Sequence, residues 1–210
     1  MNRPYHHGDL RRALLAAAWS LLDEGGLDAI TLRAVARRAS VSHAAPHHHF
    51  ASKAALVEAM VVQGLEWFAG DLQRAWDDGL NAGQDPLAAL RDVGLAYLRF
   101  ARGRPHVFAL LNRPELRRPA EADSPDRGSV VGAAAEQAYL VLVRGVVASQ
   151  QAGQIARGDP APWALLAWSG VHGLAMILTD GLLDAPEGLS ADDVAGILLD
   201  GLQHGLAVRP

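Results

Sequence analysis

The chain has 210 residues, half of them hydrophobic, and a formal net charge of −4. That is enough for one ordinary core, or for a small module on a larger one, and it excludes a uniformly basic nucleic-acid coat. There is no cysteine, which excludes disulfides, thiolate zinc sites and a cysteine nucleophile. The charge is uneven. Residues 1–53 hold seven Lys/Arg against four Asp/Glu, a net +3, together with six histidines; residues 54–210 hold twelve against nineteen, a net −7. A basic front end on an acidic body points to an anionic partner at one end only.

The opening MNRPYHHGDLRR has no apolar run of the signal-peptide kind, so a cytoplasmic protein is expected. Apolar residues then recur at three- and four-residue spacing and no alternating β-type run occurs, which predicts an all-α fold of about nine helices. Asp9 is placed to cap a first helix with Leu10, Leu14, Ala17, Ala18, Leu21 and Leu22 on one face, and Gly25-Gly26 ends it. Thr31 caps a second helix with Leu32, Val35, Ala36 and Ala39 inward and Arg33, Arg37 and Arg38 outward. Ser40-Val41 form a tight turn. Ser42 caps a third, short helix, and Ser52 caps a fourth, running from Lys53 to about Leu80.

Pro86 suits the first turn of the next helix, to about Gly103, and a shorter one follows from Pro105 to Asn112. Residues 113–128, with three prolines and many charges, read as a mobile loop. Helices are then expected at roughly 129–153, 160–183 and 190–206. The stretch 160–179 is uncharged and long enough to be a membrane candidate, but Asp159 and Asp180 flank it without any Lys/Arg anchor. Burial in a bundle or a subunit contact is the reading preferred, with no membrane partner. The division expected is 1–52 as one module and 53–210 as the other.

A capped helix, a tight turn and a second short helix make a helix-turn-helix, whose second helix enters the DNA major groove. The run TLRAVARRASVSHAAPHHHFASKAAL, Thr31–Leu56, resembles the DNA-binding signature of the tetracycline-repressor (TetR) family. The opening YHHGDLRRALL and the later Trp168, Ser169, His172 and Gly173 resemble one branch of it. The resemblance implies an amino-terminal three-helix DNA-binding domain on a larger helical ligand-binding and dimerisation domain. It implies that Thr31 caps its helix and donates to a phosphate, and that Ser42, His43, Ala44, Ala45 and Pro46 face the groove floor. His47 stands where the family usually has a phosphate-contacting Tyr, His48 matches a frequent His near bases or backbone, and Phe50 is core. Lys53 reaches a phosphate, and Arg33 joins the same surface. Ser40 and Pro46 depart from the pattern: a left-handed Ser costs roughly 1–2 kcal/mol, and Pro removes a helical hydrogen bond.

His43, His47, His48 and His49 raise the question of a metal. His43 and His47 lie four apart, but His47–His49 diverge by about 100° each and no carboxylate completes a ligand set. DNA contact is preferred for His43, His47 and His48, and a half-buried place beside Phe50 for His49. In the body, Tyr97, Phe100, Phe108, Tyr139, Trp168, His172 and Met176 are candidates to line an effector cavity. The helix at 160–183 is apolar on more than one face. Ala167, Val171, Leu174 and Leu178, with Val194, Ile197, Leu198, Gly201, Leu202 and Gly205, are candidates for a four-helix contact with a second copy. No phosphate loop or nucleophile–base pair appears, so no catalytic residue, cofactor or metal is assigned. The function read is a homodimeric, ligand-responsive regulator of transcription, a repressor released from a palindromic double-stranded DNA operator by a small apolar effector. The alternatives are a histidine-based metal sensor and a helical binding or enzymatic module that does not touch DNA.

Overall fold

A computed structural model describes residues 7–113, 127–182 and 186–206, and most of the loop expected at 113–128 lies outside these. The described residues form eight α-helices and two 3₁₀ turns, with no strand. Helix α1 spans His7–Gly25, starting ahead of Asp9 rather than at a cap there. Its buried stripe is Leu14, Leu15, Ala17, Ala18, Trp19, Leu21 and Leu22. It stops where expected, because Gly26 takes φ 68°, a left-handed value open to glycine. A 3₁₀ turn at Leu27–Ala29, unforeseen in the sequence, leads to α2, Leu32–Arg38. Thr31 caps α2 by accepting from the Ala34 N–H at 3.0 Å, and Val35 and Ala36 are its buried residues.

The expected third α-helix is instead a single 3₁₀ turn, Ala45–His48. The cause is Pro46. An α-helix starting at Ser42 would send the Ser42 carbonyl to the N–H of residue 46, and proline has none. The Ser42 carbonyl accepts from Ala45 at 3.0 Å instead, one residue early. The turn before it holds Ser40 at φ 56°, left-handed without being glycine. The N–H of Val41 reaches the Ala36 carbonyl at 3.0 Å across it, closing α2.

Helix α3, Lys53–Asn81, is 29 residues long, about 44 Å at helical rise. Ser52 caps it by accepting from Ala55 N–H at 3.2 Å. Its first turns bury Leu56, Val57, Met60 and Val61, and the later ones Leu65, Phe68 and Leu72. Helices α4 (Pro86–Gly103), α5 (Pro105–Leu111), α6 (Arg127–Gln151), α7 (Pro160–Thr179) and α8 (Ala191–Leu206) complete the body. Asp85 and Asp159 cap α4 and α7, each one residue before a proline at the first helical position. At α8, Ser190 and Asp193 cap reciprocally: the Asp193 carboxylate accepts from the Ser190 N–H at 2.7 Å, and Ser190 Oγ accepts from Asp193 N–H at 3.1 Å.

One continuous apolar core runs from Leu14 of α1 through α3 to Leu199 of α8, and a smaller one gathers Leu90, Val146, Ile155 and Ala164. Residues 130–151 and 160–179 are each long and apolar enough to cross a membrane by length and composition. The outward side of α7 is unusually apolar for a free surface, with Leu165 62% and Leu166 48% exposed, and Ile197 of α8 is 60% exposed.

Candidate nucleic-acid interface and effector cavity

The amino-terminal face is built from the turn outward. Pro46 and Phe50 are buried, and they hold the segment between them against the module. Arg11 of α1 lies over the Phe50 ring at 5.5 Å. This corrects the expectation for Pro46: its ring is inside, not on the groove floor, because the turn it forces points it inward. Ser42, His43, Ala44, His47 and His48 are exposed, and Ala45 is half-buried. His49 is half-buried, its ring centroid 6.5 Å from that of Phe50.

On α2 and its cap, Thr31, Arg33 and Arg37 are exposed. The Thr31 oxygen accepts from Ala34 N–H, which leaves its O–H able to donate outward. Lys53 is anchored by one N–H to the Leu27 carbonyl at 2.9 Å, and an ammonium has three donors. Arg38 is turned away to α1, where it forms an ion pair with Glu24 and bonds Ser20. The Arg38 hydrogen bond holds the Glu24 carboxyl below its ordinary range and, reciprocally, Arg38 above its own. Among the described residues, no three His, Asp or Glu side chains are grouped to hold a metal ion.

Two of the cavities among the described residues of the body adjoin one another. The larger, about 240 Å³, is walled by α3 (Val61, Leu65, Phe68), α4 (Tyr97), α5 (Phe108, Leu111), Asn112, α6 (Val131, Gly132, Ala135, Ala138) and Trp168 of α7. The smaller, about 60 Å³, reaches α8 and is walled by Leu87, Leu90, Val93, Gly94, Leu142, Ala167, Val171, Leu199 and Leu202, among others. Phe68, Tyr97, Ala138 and Trp168 belong to both walls.

Of the seven cavity candidates, Tyr97 and Trp168 thus face both chambers and Phe108 faces the larger. The other four stand behind the wall. Phe100 packs on Phe68 at 5.0 Å and Tyr139 on Trp168 at 5.5 Å. His172 Nδ1 and the Tyr97 hydroxyl share a 2.7 Å hydrogen bond. Met176 is half-buried against the core. Sequence reasoning misses Phe68 and the small residues Gly132, Ala135 and Ala138 as cavity residues. The run GAAAEQA at 132–138 is the available signal, since short side chains on a core-facing helix leave space.

The dimer candidates divide in the same way. Ala167 and Val171 are buried in their own chain and wall the small chamber, and Leu202 also lines it; the expectation for Ala167 and Val171 is corrected because α7 turns that face to α4. Leu174, Leu178, Val194 and Leu198 are half-buried. Ile197, Gly201 and Gly205 are exposed on α8, with nothing within 4 Å of a Cβ built on either glycine.

Two family models match the chain. "Bacterial regulatory proteins, tetR family" covers residues 14–60, and "Tetracyclin repressor-like, C-terminal domain" covers residues 90–202. No curated protein matches it. Among solved structures, a protein of unknown function from Rhodococcus sp. RHA1 is 35% identical over 99% of this chain and 100% of that one, with a TM-score of 0.82. The TetR family transcriptional regulator PfmR from Thermus thermophilus is 21% identical over 93% and 99%, with a TM-score of 0.65. A TetR family transcription regulator from Marinobacter aquaeolei is 17% identical over 96% and 97%, with a TM-score of 0.66.

Proposed function

Because this chain belongs to the tetR family of bacterial regulatory proteins, we propose that it represses transcription as a homodimer and leaves its operator when an apolar molecule enters the body. The observation that carries the reading is the Ser42–His48 segment. Its Ser42, His43, Ala44, His47 and His48 are exposed, as are Thr31, Arg33, Arg37 and Lys53, and buried Pro46 and Phe50 fix it from beneath. Contacts to phosphate position such a surface, and contacts to base edges give it sequence preference. His43 is the first candidate to read a base, with His47 and His48 nearer the backbone and Lys53 on a phosphate. The Ala44 methyl offers an apolar contact to thymine.

The second copy docks on the outward side of α7 and α8, centred on Leu165, Leu166 and Ile197, with Gly201 and Gly205 allowing close approach. That side would otherwise leave large apolar side chains in water. The cavity couples to the DNA face through Gly64. A Cβ there would sit 3.1 Å from Leu111 and 3.2 Å from Val107 of α5, and 3.5 Å from Trp19 of α1. A molecule pressing on Leu111 therefore acts one layer away from α1. The coupling exists only to the extent that the molecule binds the DNA-competent and released arrangements with different affinity.

Selection of bound fragments from random duplexes tests this. A two-fold symmetric site with half-sites about 34 Å apart, or a multiple of that, is expected. No enrichment, or enrichment of an asymmetric single site, contradicts the dimeric repressor.

A further inference from the structure

We propose that the effector is an uncharged, elongated amphiphile whose polar end lies beside Asn112 and whose alkyl end enters the small chamber between Gly94 and α8. This rests on the effector reading above and names the chemistry of its ligand. Among the described residues, no charged side chain lines the larger chamber; its polar side chains are Asn112, Tyr97 and Trp168. An ionised ligand would lose hydration there without gaining a counter-charge from any of these residues. In the smaller chamber the only charged wall residue among those described is Arg91, and its Nε already donates to Asp200 at 2.9 Å.

Size sets the shape. A cavity of about 150 Å³ lined by aliphatic and aromatic groups holds a benzene ring. The larger chamber, about 240 Å³, takes a ring or folded chain, and the smaller, about 60 Å³, takes only the narrow end of one. Three of the four shared wall residues are bulky and braced: Tyr97 by His172, Trp168 by Tyr139, Phe68 by Phe100. The fourth is Ala138, so the way through lies over its methyl group.

What lies beyond makes ligand length a signal. A Cβ on Gly94 would sit 2.4 Å from the Leu199 side chain, so α8 already rests against the α4 backbone there. Leu202 on the same helix lies against Gly170 of α7, 3.1 Å from a Cβ built there. An alkyl end wedged between Gly94, Leu199 and Leu202 displaces α8, whose outer side carries Ile197. A chain that stops short of the passage binds and leaves α8 in place; one that passes it shifts the helix.

The test uses n-alkanols from hexanol to dodecanol, with binding read by tryptophan fluorescence of the full chain in the absence of DNA. Affinity is expected to tighten about fourfold per methylene up to a cut-off length. Ala167→Leu adds three carbons to the small chamber and lowers the cut-off by about that number. Leu202→Ala raises it, so the inference stays testable if one variant fails to fold. A cut-off unchanged in whichever variants fold overturns it. So does binding of alkyl carboxylates as tight as that of alcohols of equal length. Release of a selected duplex is measured separately; alkanol binding with the expected cut-off and no duplex at all would sink the repressor reading while leaving the ligand class standing.

Discussion

The amino-terminal module and the body differ in how their working surfaces are made. In the module, the residues proposed to meet DNA sit within Thr31–Lys53, a single stretch of chain, and the fold's task is to hold one turn outward. In the body, the surface proposed to take an effector is a space, bounded by residues from six helices between Val61 and Leu202. A surface made of side chains can be read in order along the chain; a surface made of missing side chains cannot.

Substitutions should expose the difference. The largest effect is expected from Phe50→Ala. It removes a buried ring from beneath the exposed turn and should cost about 3–5 kcal/mol in a denaturant melt, with loss of duplex binding. Retained duplex affinity would mean that the turn needs no floor. Ile197→Arg, on the outer side of α8, should give a monomer by sedimentation. It should lower operator affinity by at least about 100-fold, the gain that linked binding supplies, while cavity binding persists.

A smaller effect is expected from Lys53→Ala: weaker binding to all duplexes alike and a salt slope reduced by about one. An unchanged slope would leave Lys53 with only its structural bond to Leu27. The smallest concerns a helix end in the body. Asp85 caps α4, and the Ala88 N–H, with help from Gln154, holds its carboxyl below the ordinary range. A carboxyl depressed in the folded state stabilises it above the unfolded value near ~4 and loses that contribution as pH falls through the folded value. Asp85→Ala should therefore cost about 1 kcal/mol at neutral pH, and the gap in Tm from the parent chain should close in acid. A gap that persists at low pH would place the cap's worth elsewhere.

The helices are legible in the sequence because their signals are local. Thr31, Ser52, Asp85 and Asp159 each cap the helix that follows, and Gly25-Gly26 end α1. The third α-helix is misread because Ser42 signals a cap more loudly than Pro46 signals a broken first turn. The cavity is half legible. Tyr97, Phe108 and Trp168 line it, but Phe100, Tyr139, His172 and Met176 brace the wall from behind. Helical spacing says which side of a helix is buried, and both the wall and its bracing are buried. Ala167 and Val171, expected at a subunit contact, are buried in their own chain for the same reason: α7 is apolar on more than one face, and only packing decides which side α4 takes.

Proton exchange at backbone amides, followed with and without a selected duplex, probes the account at its centre. Protection confined to the stretch from Thr31 to Lys53, in both copies of a dimer, is the predicted result. Protection on the body with none at Ser42–His48 would contradict it.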